Sequence, residues 1–279
     1  MTKKRLIATL IAVLLIIIIG VLAGVVFVVR DVEIQIDDEH LLNPEITKED
    51  IIEKTNIQEG KSIFSISESK IVSNIESEFP TIRVRGVERV FPNKIIIHLV
   101  ERVPLIAIKF QGLDEYLILD NNMCAMKKVE CSEEESETKL KDVCIVKEVE
   151  LSGQRNIYLG KQLPRIYGDE FVIVQDVVQG LINSGMGLNQ VSKFLGTMSF
   201  DTVTKTTFIR TRYGSDFGVT IVFGYSDLKD EEMVEDRIVL AREAFVGLDT
   251  AKRAKGSLVY FKGDSNSGQF VYIDSKTNK

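Results

Sequence analysis

The sequence predicts an α+β protein made of a single N-terminal transmembrane helix, a small βααββ domain and a larger, mixed, β-rich domain. Three observations lead to this prediction. One long apolar run lies near the start of the chain. The next segment alternates strand-like and helix-like apolar patterns in the order strand, helix, helix, strand, strand. Beyond Tyr116 the pattern changes to many short strands with two longer amphipathic helices.

The apolar run extends from Leu6 to Val29 and contains no charged residue, side-chain amide or proline. A helix needs about 20 apolar residues to cross a hydrocarbon core of roughly 30 Å. A cleaved signal peptide would have a shorter apolar region of about 7–15 residues, followed by small residues at the cleavage site. This run ends instead in the bulky side chains of Val26 to Val29. The sequence therefore predicts a membrane anchor at residues 6–29.

Basic residues predict the orientation of this anchor. Lys3, Lys4 and Arg5 precede the span, and short positively charged segments stay in the cytoplasm. Residues 1–5 are accordingly predicted to be a cytoplasmic tail, and everything from Asp31 onward is predicted to lie outside. The result is a single-pass type II protein of the cell membrane.

The predicted outer part is acidic. Four of the 35 lysines and arginines precede Asp31, whereas all 41 acidic residues lie from Asp31 onward, which gives the outer part a net charge of −10. This charge argues against nucleic-acid partners and against adsorption onto anionic lipid by charge. Tryptophan is absent and only two histidines occur, His40 and His98, so there is little material for metal sites or histidine-based catalysis.

The small domain is predicted from local patterns. Val32–Ile36 alternates with period two, as a half-buried strand does. Thr47–Asp50 has the acidic first turn of a helix, and Ser67 is positioned to cap a second helix. Two strand-rich segments follow, Thr81–Phe91 and Lys94–Lys109. Two helices covering one face of a three-stranded sheet form a compact arrangement.

The larger domain is predicted to span residues 110–274, with a polar tail at 275–279. Residues 122–160 form an acidic, cysteine-bearing insertion, of which Val129–Lys141 is predicted to be a solvated loop. Amphipathic helices are predicted at about 170–183 and 228–247, and strands at 191–200, 206–212, 218–223, 257–261 and 269–273.

The three cysteines, Cys124, Cys131 and Cys144, lie close together in this insertion. An odd number in an exported chain leaves at least one cysteine unpaired or bound to another molecule. The sequence leaves a disulfide and plain thiols as alternatives. Zinc binding is disfavoured because C-x-x-C spacing and a nearby histidine are both lacking.

Four short motifs resemble the DivIB/FtsQ family of bacterial cell-division proteins. They are Ile57–Ile66 (IQEGKSIFSI), Phe79–Asn93 (FPTI with VERVFPN), Ile95–Pro104 (IIIHLV with ERVP) and Tyr116–Asp120 (YLILD). The first three occur in the family's order within one stretch of the chain. The resemblance implies that residues 32–109 form a POTRA-like domain, a module that receives other polypeptides, and that the larger region is the family's β-domain.

Two of these motifs also have a direct physical interpretation. Gly60 can adopt positive φ and release the chain from the preceding helix. Glu101 and Arg102 lie near the end of a strand, where an ion pair or backbone hydrogen bonds would fix the exit of the chain.

The resemblance further implies a scaffold of the division machinery that recruits and regulates septal cell-wall synthesis, with single-pass coiled-coil partners of the FtsB/DivIC and FtsL type. In the family, a partner adds a strand to the sheet edge near the end of the chain. That edge corresponds here to Gln269, Phe270, Val271, Tyr272 and Ile273. In the alternative interpretation, Phe270 and Tyr272 only cover the core.

No catalytic constellation is predicted. Neither His40 nor His98 lies in a recognisable motif, and there is no phosphate-binding glycine loop, zinc-protease helix motif or nucleophile elbow. We therefore expect no catalytic, cofactor-binding or metal-binding residues and no small-molecule substrate. The alternatives are a membrane-anchored enzyme acting on the cell wall and another POTRA-bearing assembly factor.

Overall fold

The computed structural model describes residues 3–37, 46–113, 115–149, 156–164, 168–224, 231–262 and 268–275. The chain divides into two compact units, Met1–Arg102 and Val103–Lys279. The first unit contains a three-stranded sheet and the second a nine-stranded sheet. The predicted α+β class is confirmed. His40, residues 150–155 of the predicted insertion and residues 276–279 lie outside the described residues.

The first helix, α1 (Lys3–Val26), is long and apolar enough to cross a membrane, and its apolar window Thr9–Val26 is not buried within the protein. At 1.5 Å per residue it is roughly 36 Å long. The Thr9 hydroxyl donates a hydrogen bond to the Arg5 carbonyl at 2.9 Å, which satisfies that polar group. The predicted span of residues 6–29 extends three residues too far, because the chain leaves the helix after Val26.

The first unit has the predicted βααββ order. Its remaining elements are β1 (Asp31–Ile36), α2 (Lys48–Lys54), a 3₁₀ turn (Ile63–Ser65), α3 (Glu68–Glu78), β2 (Ile82–Val90) and β3 (Lys94–Glu101). The sheet order is β1-β3-β2, with β1 parallel and β2 antiparallel to the central β3. The core is built largely from isoleucines of both helices and all three strands.

Local sequence explains where the two short helices begin. The Thr47 hydroxyl accepts a hydrogen bond from the Asp50 N–H at 3.1 Å, and the Asp50 carboxylate accepts one from the Thr47 N–H at 3.0 Å. This reciprocal pair satisfies two donors at the start of α2. Ser67 precedes α3 as predicted, although its hydroxyl makes no capping hydrogen bond. Ile71 and Ile75, one turn apart on α3, are both buried.

A nearly buried ion pair fixes the exit of the chain from the first sheet. The Arg102 guanidinium contacts the Glu76 carboxylate at 2.8 Å, and their side chains are 5% and 16% exposed. Arg102 also donates to the Ile82 carbonyl at 3.2 Å. The second carboxylate oxygen of Glu76 accepts from the Val84 N–H at 3.0 Å. Arg102 thus links α3, β2 and the end of β3 through both an ion pair and hydrogen bonds to the backbone, the two arrangements expected at Glu101–Arg102.

The boundary between the units lies between Arg102 and Val103, seven residues before the predicted limit at 109/110. The segment predicted as one strand-rich region, Lys94–Lys109, is two strands separated by Pro104. The first part is β3, and the second forms β4 (Ile106–Phe110), which pairs with strands of the large sheet.

The large sheet has the order β12-β11-β10-β9-β8-β7-β4-β5-β6. Its other strands are β5 (Glu115–Leu119), β6 (Ala125–Glu130), β7 (Cys144–Val149), β8 (Leu195–Asp201), β9 (Thr206–Tyr213), β10 (Asp216–Gly224), β11 (Ser257–Lys262) and β12 (Gly268–Ile273). The helices of this unit are α4 (Glu133–Lys139), α5 (Asp169–Asn183), α6 (Leu188–Phe194), α7 (Glu231–Gly247) and α8 (Thr250–Arg253).

The region predicted as an insertion is part of the sheet. Its described residues form β6, α4 and β7, and β7 pairs between β4 and β8. The supposed solvated loop contains a helix because Ser132 and Glu135 form a capping box, while Leu140 and Val143 are buried after it. The acidic residues thus line the exposed surface of a helix that covers one face of the sheet.

The predicted strand at 191–200 begins too early. Residues up to Phe194 belong to α6, whose start is capped by a hydrogen bond from the Gly187 N–H to the Gln190 side chain at 3.1 Å, and the strand starts only at Leu195. Val191 is buried as a helical residue rather than as part of a strand. The predicted helices at 170–183 and 228–247 correspond to α5 and α7. Residues 225–230, which include the predicted start of the second helix, lie outside the described residues.

All three cysteines are thiols in this structure, so the disulfide alternative is not formed. Cys144 is completely buried in β7, and burial raises the pKa of its thiol to about 12. Cys131 is half-buried, and burial raises the pKa of its thiol as well. Cys124 is buried.

We expect Arg102→Ala to weaken the first unit by about 3–5 kcal/mol, because the Glu76 carboxylate would remain nearly buried without its cation. Arg85→Ala is the matched control. It removes an exposed pair with Asp37, 2.9 Å apart, and should cost about 1 kcal/mol or less. Hydrogen–deuterium exchange of the α3 and β2 amides measures both effects. Equal protection in the two variants would contradict the assigned role of Arg102.

Thiol labelling should distinguish the cysteines. The thiolate is the reactive form, so a raised pKa slows alkylation in addition to steric protection. With iodoacetamide at pH about 8, we expect Cys131 to react first and Cys144 to react only after denaturation. Peptide mass spectrometry of native and denatured samples measures this order. Labelling of Cys144 at the rate of Cys131 would contradict the burial of Cys144. Fewer than three adducts in denaturant would contradict the assignment of all three cysteines as thiols.

Candidate functional site

The five residues predicted to contact a partner lie together on β12, at the end of the strand order. Its inner neighbour is the antiparallel β11, with Phe270 opposite Tyr260 and Val271 opposite Val259. Among the residues that the structure describes, no strand pairs with the outer edge of β12. Backbone N–H and C=O groups on this edge are therefore available to another chain.

Two of the five residues attach β12 to its own domain. Phe270 packs against the core and its ring lies 5.3 Å from that of Tyr260. The Tyr272 hydroxyl donates to the Lys255 carbonyl at 3.2 Å. Partial burial raises the pKa of Tyr272 and the Asp274 carboxylate adds to the shift, so this hydroxyl stays protonated. The alternative interpretation, in which Phe270 and Tyr272 cover the core, therefore describes these two side chains.

Gln269 and Val271 point to the opposite side of the sheet and are exposed. Gln269 is paired across the strands with Phe261 of β11, whose side chain is 49% exposed, and Val271 is 39% exposed. The solvent-facing side of the last hairpin thus carries Val259, Phe261 and Val271, with Ser257 and Gln269 as polar members.

This apolar surface continues inward as one row across four strands, which we call the outer-face row: Phe208 on β9, Val222 on β10, Val259 on β11 and Val271 on β12. The strand register places each member directly beside the next. The first three are half-buried and Val271 is exposed. The neighbouring residues Ile209, Ile221 and Leu258 point to the other face and are buried in the core.

The position of the last hairpin is fixed by the segment that precedes it. The Arg253 guanidinium of α8 donates to the carbonyls of Phe245 and Val246, at 3.2 and 2.6 Å, which attaches α8 to the end of α7. Gly256 then turns the chain with φ of +86°, where a Cβ atom would lie 2.7 Å from the Ile273 carbonyl oxygen. A side chain at this position would be strained and would push β12 away from β11.

The site has the features of a surface that accepts a strand. Its open edge supplies backbone hydrogen bonds, and the outer-face row supplies apolar contacts in register with them. Sequence reasoning identified β12 but missed Phe208, Val222, Val259 and Phe261. The alternating pattern of each strand was a usable signal for which residues share a face, but the register that aligns them is a tertiary property.

The remaining candidates for chemistry do not converge. Among the described residues, no group of three His, Cys, Asp or Glu side chains is arranged to hold a metal ion. His98 on β3 lies 3.4 Å from the Glu88 carboxylate on the neighbouring strand. Glu235 of α7, from the acidic start of that helix, accepts a hydrogen bond from the Asn183 amide at 3.0 Å. Both have structural partners.

Comparison with known proteins identifies the first unit. The family described as "POTRA domain, FtsQ-type" matches residues 42–102, a range that includes α2, α3, β2 and β3. A relative named "Cell division protein DivIB", from Clostridium tetani (strain Massachusetts / E88), is 36% identical over 86 residues. That alignment covers 31% of this chain and 31% of the relative.

The family match and the order of elements agree, because helices α2 and α3 followed by the β2–β3 hairpin occupy the matched range. The larger sheet lies outside the matched range. The chain therefore contains an FtsQ-type POTRA domain at residues 42–102 and is similar over about a third of its length to a DivIB protein.

Proposed function

We propose that this chain is a single-pass membrane scaffold of the bacterial division machinery, which acts through protein contacts and not through catalysis. The POTRA domain and the DivIB relative support a role in division. The apolar helix α1 and the basic residues at its start support a type II orientation, with both folded units outside the cytoplasmic membrane and concentrated at the septum.

The open edge of β12 beside the outer-face row is the observation that carries the mechanism. A partner segment in extended conformation adds to β12 as a further strand, and alternate side chains of that segment extend the outer-face row. Backbone hydrogen bonds supply affinity without regard to sequence. The apolar contacts with Val271 and Phe261 select partners whose side chains have the matching alternation.

The partners that fit this edge are other single-pass division proteins, namely coiled-coil proteins of the FtsB/DivIC and FtsL type. Anchoring both proteins in one membrane confines them to a thin layer and raises their effective concentration. A low affinity of the β12 edge for a partner strand is therefore sufficient for stable association. Through such contacts the scaffold would recruit and regulate septal cell-wall synthesis. The proposal assigns no cofactor and no small-molecule substrate.

Val271→Glu in the full-length chain tests the mechanism. The carboxylate would interrupt the outer-face row at its exposed end, while Phe270 and Tyr272 continue to attach β12 to its domain. Desolvating an unpaired carboxylate costs several kcal/mol, so we expect co-purification with FtsB/DivIC-type and FtsL-type proteins to fall by about tenfold or more. Affinity purification from dividing cells with quantitative mass spectrometry measures the recovery.

Val203→Glu is the matched control, because Val203 is 90% exposed and lies in the β8–β9 turn. Its partner recovery should equal that of the wild type, and hydrogen exchange of β11 should be unchanged in both variants. Undiminished recovery with Val271→Glu would rule out β12 as the partner edge. A fluorescent fusion that stays evenly distributed in the membrane of dividing cells would contradict the division role itself.

A further inference from the structure

The chain passes from α1 into the POTRA domain without a free linker. The Phe27 carbonyl accepts from the Ile63 N–H at 2.9 Å. The Val29 N–H donates to the Lys61 carbonyl, and the Val29 carbonyl accepts from the Gly60 N–H, both at 2.9 Å. Val29 is completely buried in the domain core. The residues directly after the helix are therefore part of the domain, and they hold it at the end of α1.

Three phenylalanines meet at this junction, and we call them the junction triad: Phe27, Phe64 and Phe91. Their ring centroids are 5.6 Å apart for Phe27 and Phe64, 5.9 Å for Phe27 and Phe91, and 5.5 Å for Phe64 and Phe91. Phe27 follows α1, Phe64 lies in the 3₁₀ turn, and Phe91 lies in the turn between β2 and β3. Three separate segments thus present aromatic rings at one place.

Folding of the domain does not account for this arrangement. Phe64 is 61% exposed and Phe91 is 55% exposed, although both are large apolar side chains. The buried core of the first unit consists of other residues, chiefly isoleucines, and of the three rings only Phe27 packs against it. A cluster of exposed rings in water is unfavourable and marks a surface that contacts an apolar partner.

The position of the triad identifies that partner. Phe27 is one residue beyond Val26, where the apolar helix ends, so its ring lies at the level where a membrane-spanning α1 leaves the hydrocarbon. Phe64 and Phe91 contact Phe27 directly. Aromatic side chains are favoured at this depth, where apolar groups penetrate about 5–10 Å into the interfacial region.

We propose that Phe64 and Phe91 insert into the outer leaflet of the membrane beside α1. The POTRA domain would then contact the lipid at three points, which are Phe27 at the end of α1 and the rings of Phe64 and Phe91. This inference rests on the proposed function in one respect only, which is that α1 spans the membrane. The seated domain has one fixed orientation, and its partners meet it at a defined height above the bilayer.

The turn that carries Phe64 is held in place by side-chain hydrogen bonds. The Arg89 guanidinium donates to the carbonyls of Ile63 and Ile66, at 3.3 and 2.8 Å, on either side of the 3₁₀ turn. The Ser65 hydroxyl donates to the Ser62 carbonyl at 2.7 Å. A ring displayed on a rigid turn loses little conformational entropy when it enters the interface.

Charge does not drive the insertion. The exposed cations Arg30 and Lys61 flank the triad along the chain, but Asp31 directly follows Arg30, and Glu59 lies two residues before Lys61. The cation of Lys94 contacts the carboxylates of Glu33 and Asp31. Contact with lipid therefore depends on the apolar rings, and it should occur equally on zwitterionic and anionic membranes.

The absence of tryptophan from the chain allows a direct test. Phe64→Trp and Phe91→Trp each introduce a unique fluorophore at the triad with a conservative aromatic change. The full-length protein is reconstituted into phosphatidylcholine vesicles with and without lipid brominated at a shallow or a deep position of the acyl chain. Val203→Trp, at a position that is 90% exposed, is the matched control.

We expect both triad variants to emit at shorter wavelength than Val203→Trp. Shallow bromines should quench them strongly and deep bromines less, whereas Val203→Trp should be unquenched. Adding anionic lipid should leave the quenching unchanged. Quenching of either triad variant no greater than that of Val203→Trp would overturn the inference.

The controls separate this inference from the proposed function. Release of the chain from vesicles by alkaline carbonate would show that α1 does not span, and both ideas would fail. A chain that resists carbonate but shows no bromine quenching would refute lipid seating alone. Protection of the fluorophore only when FtsB/DivIC-type proteins are co-reconstituted, without bromine quenching, would assign the triad to a protein contact and likewise overturn lipid seating.

Discussion

The parallel pairing of β7 with both β4 and β8 holds the larger domain together. β7 is the strand through which β4, β5 and β6 join the five strands from β8 to β12. Cys144, Ile145 and Val146 are completely or almost completely buried there, and the Arg212 guanidinium bridges the carbonyls of Leu195 and Val143 at the start of the two strands. Without this joint, the β12 edge would have no rigid support.

A continuous sheet necessarily ends in two edges, and the side chains decide what each edge does. At the β12 end, Phe270 and Tyr272 stabilise the strand against its own core, while Gln269, Val271 and Phe261 face outward. The division of roles between the two faces of one strand reconciles the two interpretations of its sequence. One face attaches the edge strand to its own domain, and the other is the exposed face on which the proposed strand addition depends.

The segment that follows α1 is likewise attached to its own domain. The backbone hydrogen bonds of Phe27 and Val29 to the Gly60–Ile63 turn make the junction part of the POTRA fold. The Arg102–Glu76 pair closes the same domain at its other end, where the chain passes on to β4. The first unit is therefore held by hydrogen bonds both where the chain enters it from α1 and where the chain leaves it for β4.

Local sequence alone determined the apolar helix, the βααββ order, the capping box at Thr47 and the alternation of β12, because each depends on neighbours within a few residues. Tertiary structure decided what depends on distant pairing. The acidic segment 122–160 appeared to be an insertion since its composition is polar, yet β7 within it becomes buried once strands on both sides pair with it. The outer-face row and the junction triad have the same origin. Their members are far apart in sequence, and only strand register and chain reversal bring them together.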